Sequence, residues 1–408
     1  LNIAALRSWL GSASYLEKIA IIVWSMVVLF VSVRAFMTPA TKTVYPIFSA
    51  SARLWWSGID TYEPGRPTDV QNGYRYGPTC SVAFTPFAIF PDAVGGVLWR
   101  LFNVATLLGA LGWFARAVLP TKLTGGLYAG LALLILPMGL QSINNGQANL
   151  VVIACMLGAI AAVAQERWNL ASALLAAAFV MKLYPLALGM ILIVLYPRRL
   201  AWRIPLAAGV SLLIAFLFQH PDYVIDQYVK WIVVLQHEKR RELDGMYRDL
   251  WLLIYLYDLP ISRAGYLLIQ IAGGALVAFV CWRRQRAGWP TAALLTATLA
   301  LTTAWMMLLG PATESSSFIL LAPSFAWSVL EALQEPAPGR RRLLLWGSCV
   351  CFVLAIALGG FMATVRIHSL GVHVWGSIFY FAYLLTEPRP AVAVALAQPE
   401  RELQPQAA

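Results

Sequence analysis

"LQSINNGQANLVVIACMLGAIAAVAQ", Leu140 to Gln165, decides the fold class. A polar knot, Asn144-Asn145-Gly146-Gln147 with Asn149 behind it, sits between two runs that are almost entirely apolar. A helix that is apolar all round is enclosed by lipid or by other helices. The knot therefore stands where such a helix begins, and its carboxamides need a reason to be there.

The rest of the chain follows the same pattern. Hydrophobic residues make up 60% of the 408 and charged residues 12%, far from the balance of a soluble domain. The net charge of +11 does not indicate nucleic-acid binding, because Lys and Arg fall in short clusters between apolar runs, where membrane topology accounts for them. Five cysteines, Cys80, Cys155, Cys281, Cys349 and Cys351, imply neither a disulfide framework nor a metal site, and four of them lie inside apolar runs. The first run, Ile19 to Phe36, lacks a small-residue cleavage signal and reads as a retained helix.

Apolar runs near the ~20 residues that cross ~30 Å of hydrocarbon predict an all-α polytopic membrane protein of about twelve spans. They lie near 19–36, 94–117, 125–141, 148–164, 169–182, 184–196, 204–219, 265–283, 291–309, 317–334, 343–364 and 371–386. The two runs flanking "MKLYPLAL" are short enough for half-helices, a hairpin or one broken helix. Arg198-Arg199 with Arg203, Arg283-Arg284 with Arg286, and Arg340-Arg341-Arg342 share one side under this count, which is cytoplasmic. Both termini are then cytoplasmic, and the loops 38–93 and 220–264 face outward. In the second loop Lys239, Arg240, Arg241 and Arg248 are offset by Glu238, Glu242, Asp244 and Asp249. Both loops are rich in Tyr and Trp, which predicts amphipathic helices on the outer leaflet. Residues 1–395 read as one membrane domain and 396–408 as a loose tail; no internal repeat marks two halves of a transporter.

On this topology Asn144 to Asn149, Lys182-Leu183-Tyr184-Pro185 and "GPATESSS" (Gly310 to Ser317) all reach the outer ends of helices. Each has a plain structural alternative. The knot could be a turn, Lys182 could snorkel, and Glu314 could be a helix-start anion. Against these, Gln147 and Asn149 continue the polarity into the helix, and carboxamides suit sugar hydroxyls or a phosphate oxygen. Lys182 precedes Tyr184-Pro185, where proline weakens the helix ladder. Glu314 is the sole carboxylate between Trp289 and Glu331 and is flanked by hydroxyls, which suits a general base.

The order "NNGQANL", about twenty apolar residues, then "AAAFVMKLYPLALGMILIVLYPRR" resembles the core of glycosyltransferase family 87. "VYPIFSASARLWWSGIDTYEP" and "YRYGPTCSVAFTPFAIFP" are similar to its first outer loop, so the likeness covers roughly residues 40 to 205. The resemblance implies a GT-C fold and a transferase that uses polyprenyl-phosphate sugars, as do the phosphatidylinositol mannoside mannosyltransferases. It also implies an acidic base just before the first loop tyrosine, Tyr45, where this chain has Lys42-Thr43-Val44. Asp60, Glu63, Asp249 and Glu314 are the candidates to replace it. Lys182, with Arg248 or Lys42, would hold the phosphate, and Asn144, Asn145, Gln147, Asn149, Tyr184 and Tyr45 would line the substrate site. No metal or other cofactor is implied, His220, His237, His368 and His373 being scattered. The expected partners are the lipid-linked sugar, a lipid or glycan acceptor and membrane lipids, met by a monomer in a bacterial inner membrane with its site facing outward. The alternatives are a transporter of lipid-linked sugar and a non-catalytic polyprenyl-phosphate-binding relative.

Overall fold

The computed structural model describes residues 13–68, 73–119, 123–236, 247–310, 313–334, 339–361 and 370–388. The expected tail from 396, His237, His368, the charged stretch 238–244 and Pro311-Ala312 lie outside the described residues. Among those described, every regular element is helical.

Helix α1 (Tyr15–Met37) starts from a capping box in which Ser14 and Glu17 satisfy each other's backbone amides. The first long connection folds into α2 (Tyr45–Trp56) and α3 (Pro78–Ala88), each with a proline in its first turn. Then come α4 (Asp92–Val118), α5 (Gly125–Asn145), α6 (Asn149–Ala164), α7 (Trp168–Met181) and α8 (Leu186–Leu195). The "MKLYPLAL" segment is thus two separate helices joined at Lys182–Pro185. Helix α9 (Arg203–Leu213) continues as a 3-10 turn, and the second long connection contributes α10 (Pro221–Gln236) and α11 (Leu250–Leu256). Last are α12 (Arg263–Arg286), α13 (Thr291–Leu309), a 3-10 helix (Ser315–Leu320), α14 (Ala322–Gln334), α15 (Gly339–Phe361) and α16 (Val372–Leu385).

All twelve apolar runs are helical. By length and composition six helices among the described residues can cross a membrane: α1, α4, α5, the stretch Pro197–Leu217, α12 and α13. Helices α6, α7, α8 and α16 are apolar but shorter.

Burial separates centre from rim. Helix α6 buries thirteen of its sixteen residues and packs on α4, α7, α13 and the 3-10 helix. Helix α13 is buried over 78% of its most apolar stretch, α1 over 22% and α12 over 17%. The centre is therefore α6 and α13, and α1 and α12 turn apolar side chains outward. Thr298, Thr302 and Thr303 sit inside α13 without penalty, because each hydroxyl bonds a carbonyl one turn back.

The first long connection packs into the protein. Tyr45 is fully buried, its hydroxyl donates to Phe87 O at 3.0 Å, and Phe48, Phe84 and Trp99 stack beside it. Gly95 allows this, since a β-carbon there would lie 2.0 Å from the Tyr45 hydroxyl and 2.4 Å from Phe87 O. Gly95→Ala is expected to lower stability by about 1–3 kcal/mol through overpacking against backbone, read as an earlier thermal transition in nanodiscs. An unchanged transition would mean that α2 is free to shift.

Candidate active site

The polar knot is first a helix end. Gly146 takes the left-handed conformation (φ 66°), its N–H bonds Ile143 O at 3.2 Å, and Gln147 N–H bonds Ser142 O at 3.1 Å. The remaining carbonyls of that end are tied to α4 and the loop before α2. Arg100 Nη2 donates to Asn144 O and to Thr43 Oγ1, both at 2.8 Å, and Trp99 Nε1 donates to Gly146 O at 2.7 Å. Thr43 Oγ1 and Val44 N–H both donate to Asn145 O. Arg34 of α1 donates to the Asn144 side chain.

Beyond the glycine, polarity turns inward. Gln147 Nε2 donates to Glu314 Oε2 at 2.9 Å, while its Oε1 accepts from Ser316 Oγ (2.8 Å) and Asn149 Nδ2 (2.6 Å). Asn149 is fully buried, also donates to Ser316 O, and accepts from the Tyr184 hydroxyl at 3.3 Å. Ser316 Oγ reaches Glu314 Oε2 at 3.1 Å. Glu314 heads the 3-10 helix but its side chain makes no cap bond, and it is exposed. Lys182 Nζ lies 5.4 Å over the Tyr184 ring and feels the Glu314 charge. Gln147, Asn149, Lys182, Tyr184 and Glu314 are therefore one constellation.

Asp249 and Arg248 act on the backbone just ahead of Glu314. Asp249 is fully buried, caps α11 by accepting from Trp251 N–H at 3.1 Å, and accepts from Thr313 N–H at 3.4 Å. Arg248 N–H donates to Thr313 O at 2.6 Å. These bonds pin the strand that presents Glu314.

On the other side of the knot lies a cavity of about 1040 Å³. Arg34, Lys42, Gln141, Asn144, Asn145, Arg248, Ser315 and His373 are its polar lining; Met26, Phe30, Met138, Phe318, Phe352 and Ile356 are among its apolar walls. Helix α1 packs on α4 and α5, and α15 on α16, so the cavity occupies the space between α1 and α15. Lys42 has φ 48°, a conformation that costs a non-glycine residue and recurs at functional sites.

Three expected site residues are elsewhere. Tyr45 spends its hydroxyl on Phe87, as described above. Asp60 pairs with Lys230 at 2.9 Å and accepts from Tyr62 N–H (2.9 Å) and Gln227 Nε2 (3.1 Å), which latches α10 to the first loop. Glu63 pairs with Arg66. Burial alone would raise the Asp60 pKa, but Lys230, the Tyr62 amide and Gln227 outweigh it, and the net shift is down from 3.8. Asp226 and Asp60 together raise Lys230 above 10.5. The carboxylate's contribution is present above its unfolded value and lost as pH falls through the lowered one; the lysine's is present below 10.5 and lost above the raised value. Protection of the α10 amides, taken relative to the intrinsic exchange rate at each pH, is therefore expected to stay flat through neutral pH and to fall below about pH 3.8. Asp60→Asn is expected to show the acid behaviour at neutral pH, and wild-type protection in that variant would discard the latch.

Sequence reasoning passed over Arg34, Trp99 and Arg100. The available signal was a cation deep inside each of the apolar runs 19–36 and 94–117, Arg34 alone in the first and Arg100 well ahead of the terminal Arg116 in the second. Among the described residues no group of three His, Cys, Asp or Glu could hold a metal.

The family model for glycosyltransferase family 87 matches residues 74–311, more than half of the chain. It covers the knot, Lys182, Tyr184, Arg248 and Asp249, and stops three residues before Glu314. No curated protein and no solved structure gives a match.

Proposed function

The chain belongs to glycosyltransferase family 87, and on that premise we propose that it is a GT-C-type membrane transferase moving a hexose, mannose foremost, from a polyprenyl-phosphate donor to a lipid or glycan acceptor. The twelve apolar helices are read as twelve crossings, with the site facing outward from a bacterial plasma membrane and the enzyme working as a monomer without a cofactor.

The observation that carries this reading is the form of the cavity. Three cations, Arg34, Lys42 and Arg248, line a chamber whose walls are otherwise largely apolar side chains of α1, α5 and α15. That is the shape of an anion joined to a hydrocarbon tail. Lys42, Arg34 and Arg248 would hold the phosphate, and the prenyl chain would leave between α1 and α15. Asn144, Asn145 and Ser315 line the cavity, and Ser315 adjoins Glu314, beside which the sugar would sit.

The chemistry then follows. Glu314 takes the proton of the acceptor hydroxyl as its oxygen attacks the anomeric carbon. The bond from that carbon to the phosphate oxygen breaks, and its electron pair leaves with polyprenyl phosphate into the cationic end. Gln147 and Ser316 orient the carboxylate, and Lys182 provides a cation on the Glu314 side.

The test is transfer from radiolabelled polyprenyl-phosphate mannose to a crude lipid and glycan extract by purified protein. Label should move to a new product, and Lys42→Glu should raise the donor KM about ten- to a hundredfold with a smaller change in kcat. Donor retained by wild type without transfer, across other hexoses and extracts, would favour the lipid-sugar carrier. An unchanged KM in Lys42→Glu would move the phosphate out of the cavity.

A further inference from the structure

Two charged side chains with no part in the proposed transfer line one chamber at the other end of α1 and α5. A second cavity, of about 550 Å³, lies between the first half of α1, the last turns of α4 and the first turns of α5. The candidate site uses α1 from Met26 and α5 from Pro137 onward; this cavity uses Glu17 to Trp24 and Gly125 to Ala132. On the proposed topology it faces the cytoplasmic leaflet.

Its walls are apolar by arrangement. The Trp24 indole N–H is turned into the protein onto Ala132 O (3.0 Å), and the Tyr128 hydroxyl onto Leu108 O (2.8 Å), so both rings present carbon. At Gly109 a β-carbon would meet nothing within 4 Å, which leaves a notch in α4. Among the described residues one acid and one base line this chamber, Glu17 and Arg116, and no ion pair joins them. Glu17 is held in place: Oε2 accepts from Ser14 N–H and Oγ, and Oε1 reaches Gly125, where a β-carbon would lie 1.9 Å from it. Arg116 lies along Gly112, its Nη2 3.6 Å from where a β-carbon would be.

We propose that this cavity binds the head group of a zwitterionic aminophospholipid, with its phosphate on Arg116 and its primary ammonium on Glu17. An apolar chamber with one acid and one base, separately held, matches a ligand that carries both charges. An anionic lipid would leave Glu17 facing negative charge, and a quaternary ammonium has no N–H to give the carboxylate. The acyl chains have a path along the outward face of α1, where Ile19, Ile22 and Met26 are exposed.

Delipidated protein in mixed micelles with equimolar dioleoyl phosphatidylethanolamine, phosphatidylcholine and phosphatidylglycerol, followed by native mass spectrometry, tests this. One phosphatidylethanolamine should be retained per chain, about tenfold over either competitor, the worth of one charge-assisted hydrogen bond. Glu17→Gln keeps the capping box and should level phosphatidylethanolamine with phosphatidylcholine. Arg116→Ala should release all three lipids, and Arg116→Lys should keep them. Gly109→Leu fills the notch without touching either charge and suits a helix better than glycine, so it should release the lipid from a protein whose thermal transition is unchanged. Equal retention of the three lipids, preference for phosphatidylglycerol, or phosphatidylethanolamine retained as in wild type by Gly109→Leu would each overturn the assignment. None of these readouts depends on glycosyl transfer.

Discussion

Glu314→Gln is expected to lower kcat for glycosyl transfer by about 10²–10⁴-fold, the range of a lost general base, with donor binding retained. The substitution is close to isosteric. Its carboxamide oxygen can still accept from Gln147 Nε2 and Ser316 Oγ, which now hold Glu314 Oε2 at 2.9 and 3.1 Å. What disappears is the capacity to take a proton. Asp249→Asn gives the contrast, because Asp249 bonds the Trp251 and Thr313 amides from a fully buried position. Asparagine caps a helix about as well as aspartate, so this variant should leave the α11 cap in place and reduce turnover only as far as the Thr313 segment loosens. The pair of results separates chemistry from support. Wild-type kcat in Glu314→Gln would remove it as the base and turn attention to the acceptor's own ionisation.

How much of this was readable depends on where each residue finds its partners. The helices were readable because apolar runs of the right length are helical in lipid whatever their neighbours. Gly146 was readable as a helix end, and Asp249 before "LWLL" carries the signature of an N-cap. Gln147, Asn149, Lys182, Tyr184 and Glu314 were readable as a group by topology alone, since all reach the same ends of helices. Their hydrogen bonds span separations such as Gln147 to Glu314, which no local pattern encodes. Asp60 was not readable: it looks like any loop acid until Lys230 and Gln227, brought from the far loop, take up its oxygens. Arg34 and Arg100 were hidden for the opposite reason, since an apolar run absorbs a single cation without ceasing to look like a span. Their partners are helix-end carbonyls and a carboxamide, which hydropathy does not register.

Arg100→Leu is expected to be the most damaging of the structural substitutions, at about 3–5 kcal/mol of stability, the scale of breaking a buried charged network. Arg100 is only 4% exposed. It bonds Asn144 O through both Nε and Nη2, Gly96 O through Nη1 and Thr43 Oγ1 through Nη2, and none of these acceptors is a carboxylate. A cation so placed is costly to desolvate, and the negative end of the α5 dipole offsets part of that cost. Leucine would fill much of the space but leave Asn144 O short of its donor, at about 1–3 kcal/mol for a buried group left unsatisfied, while Thr43 Oγ1 keeps the Tyr45 amide. The consequence reaches the site, because the same guanidinium fixes the backbone that carries Asn144 and Asn145 into the cavity wall. Donor KM should therefore rise in the fraction that stays folded, and Arg100→Lys, with one nitrogen in place of a planar fork, should recover only part of both losses. Thermal unfolding in nanodiscs together with donor titration measures the two effects separately. If Arg100→Leu melts with the wild type, Thr43, Val44 and Trp99 hold the knot unaided, and Arg100 is kept for the ligand alone.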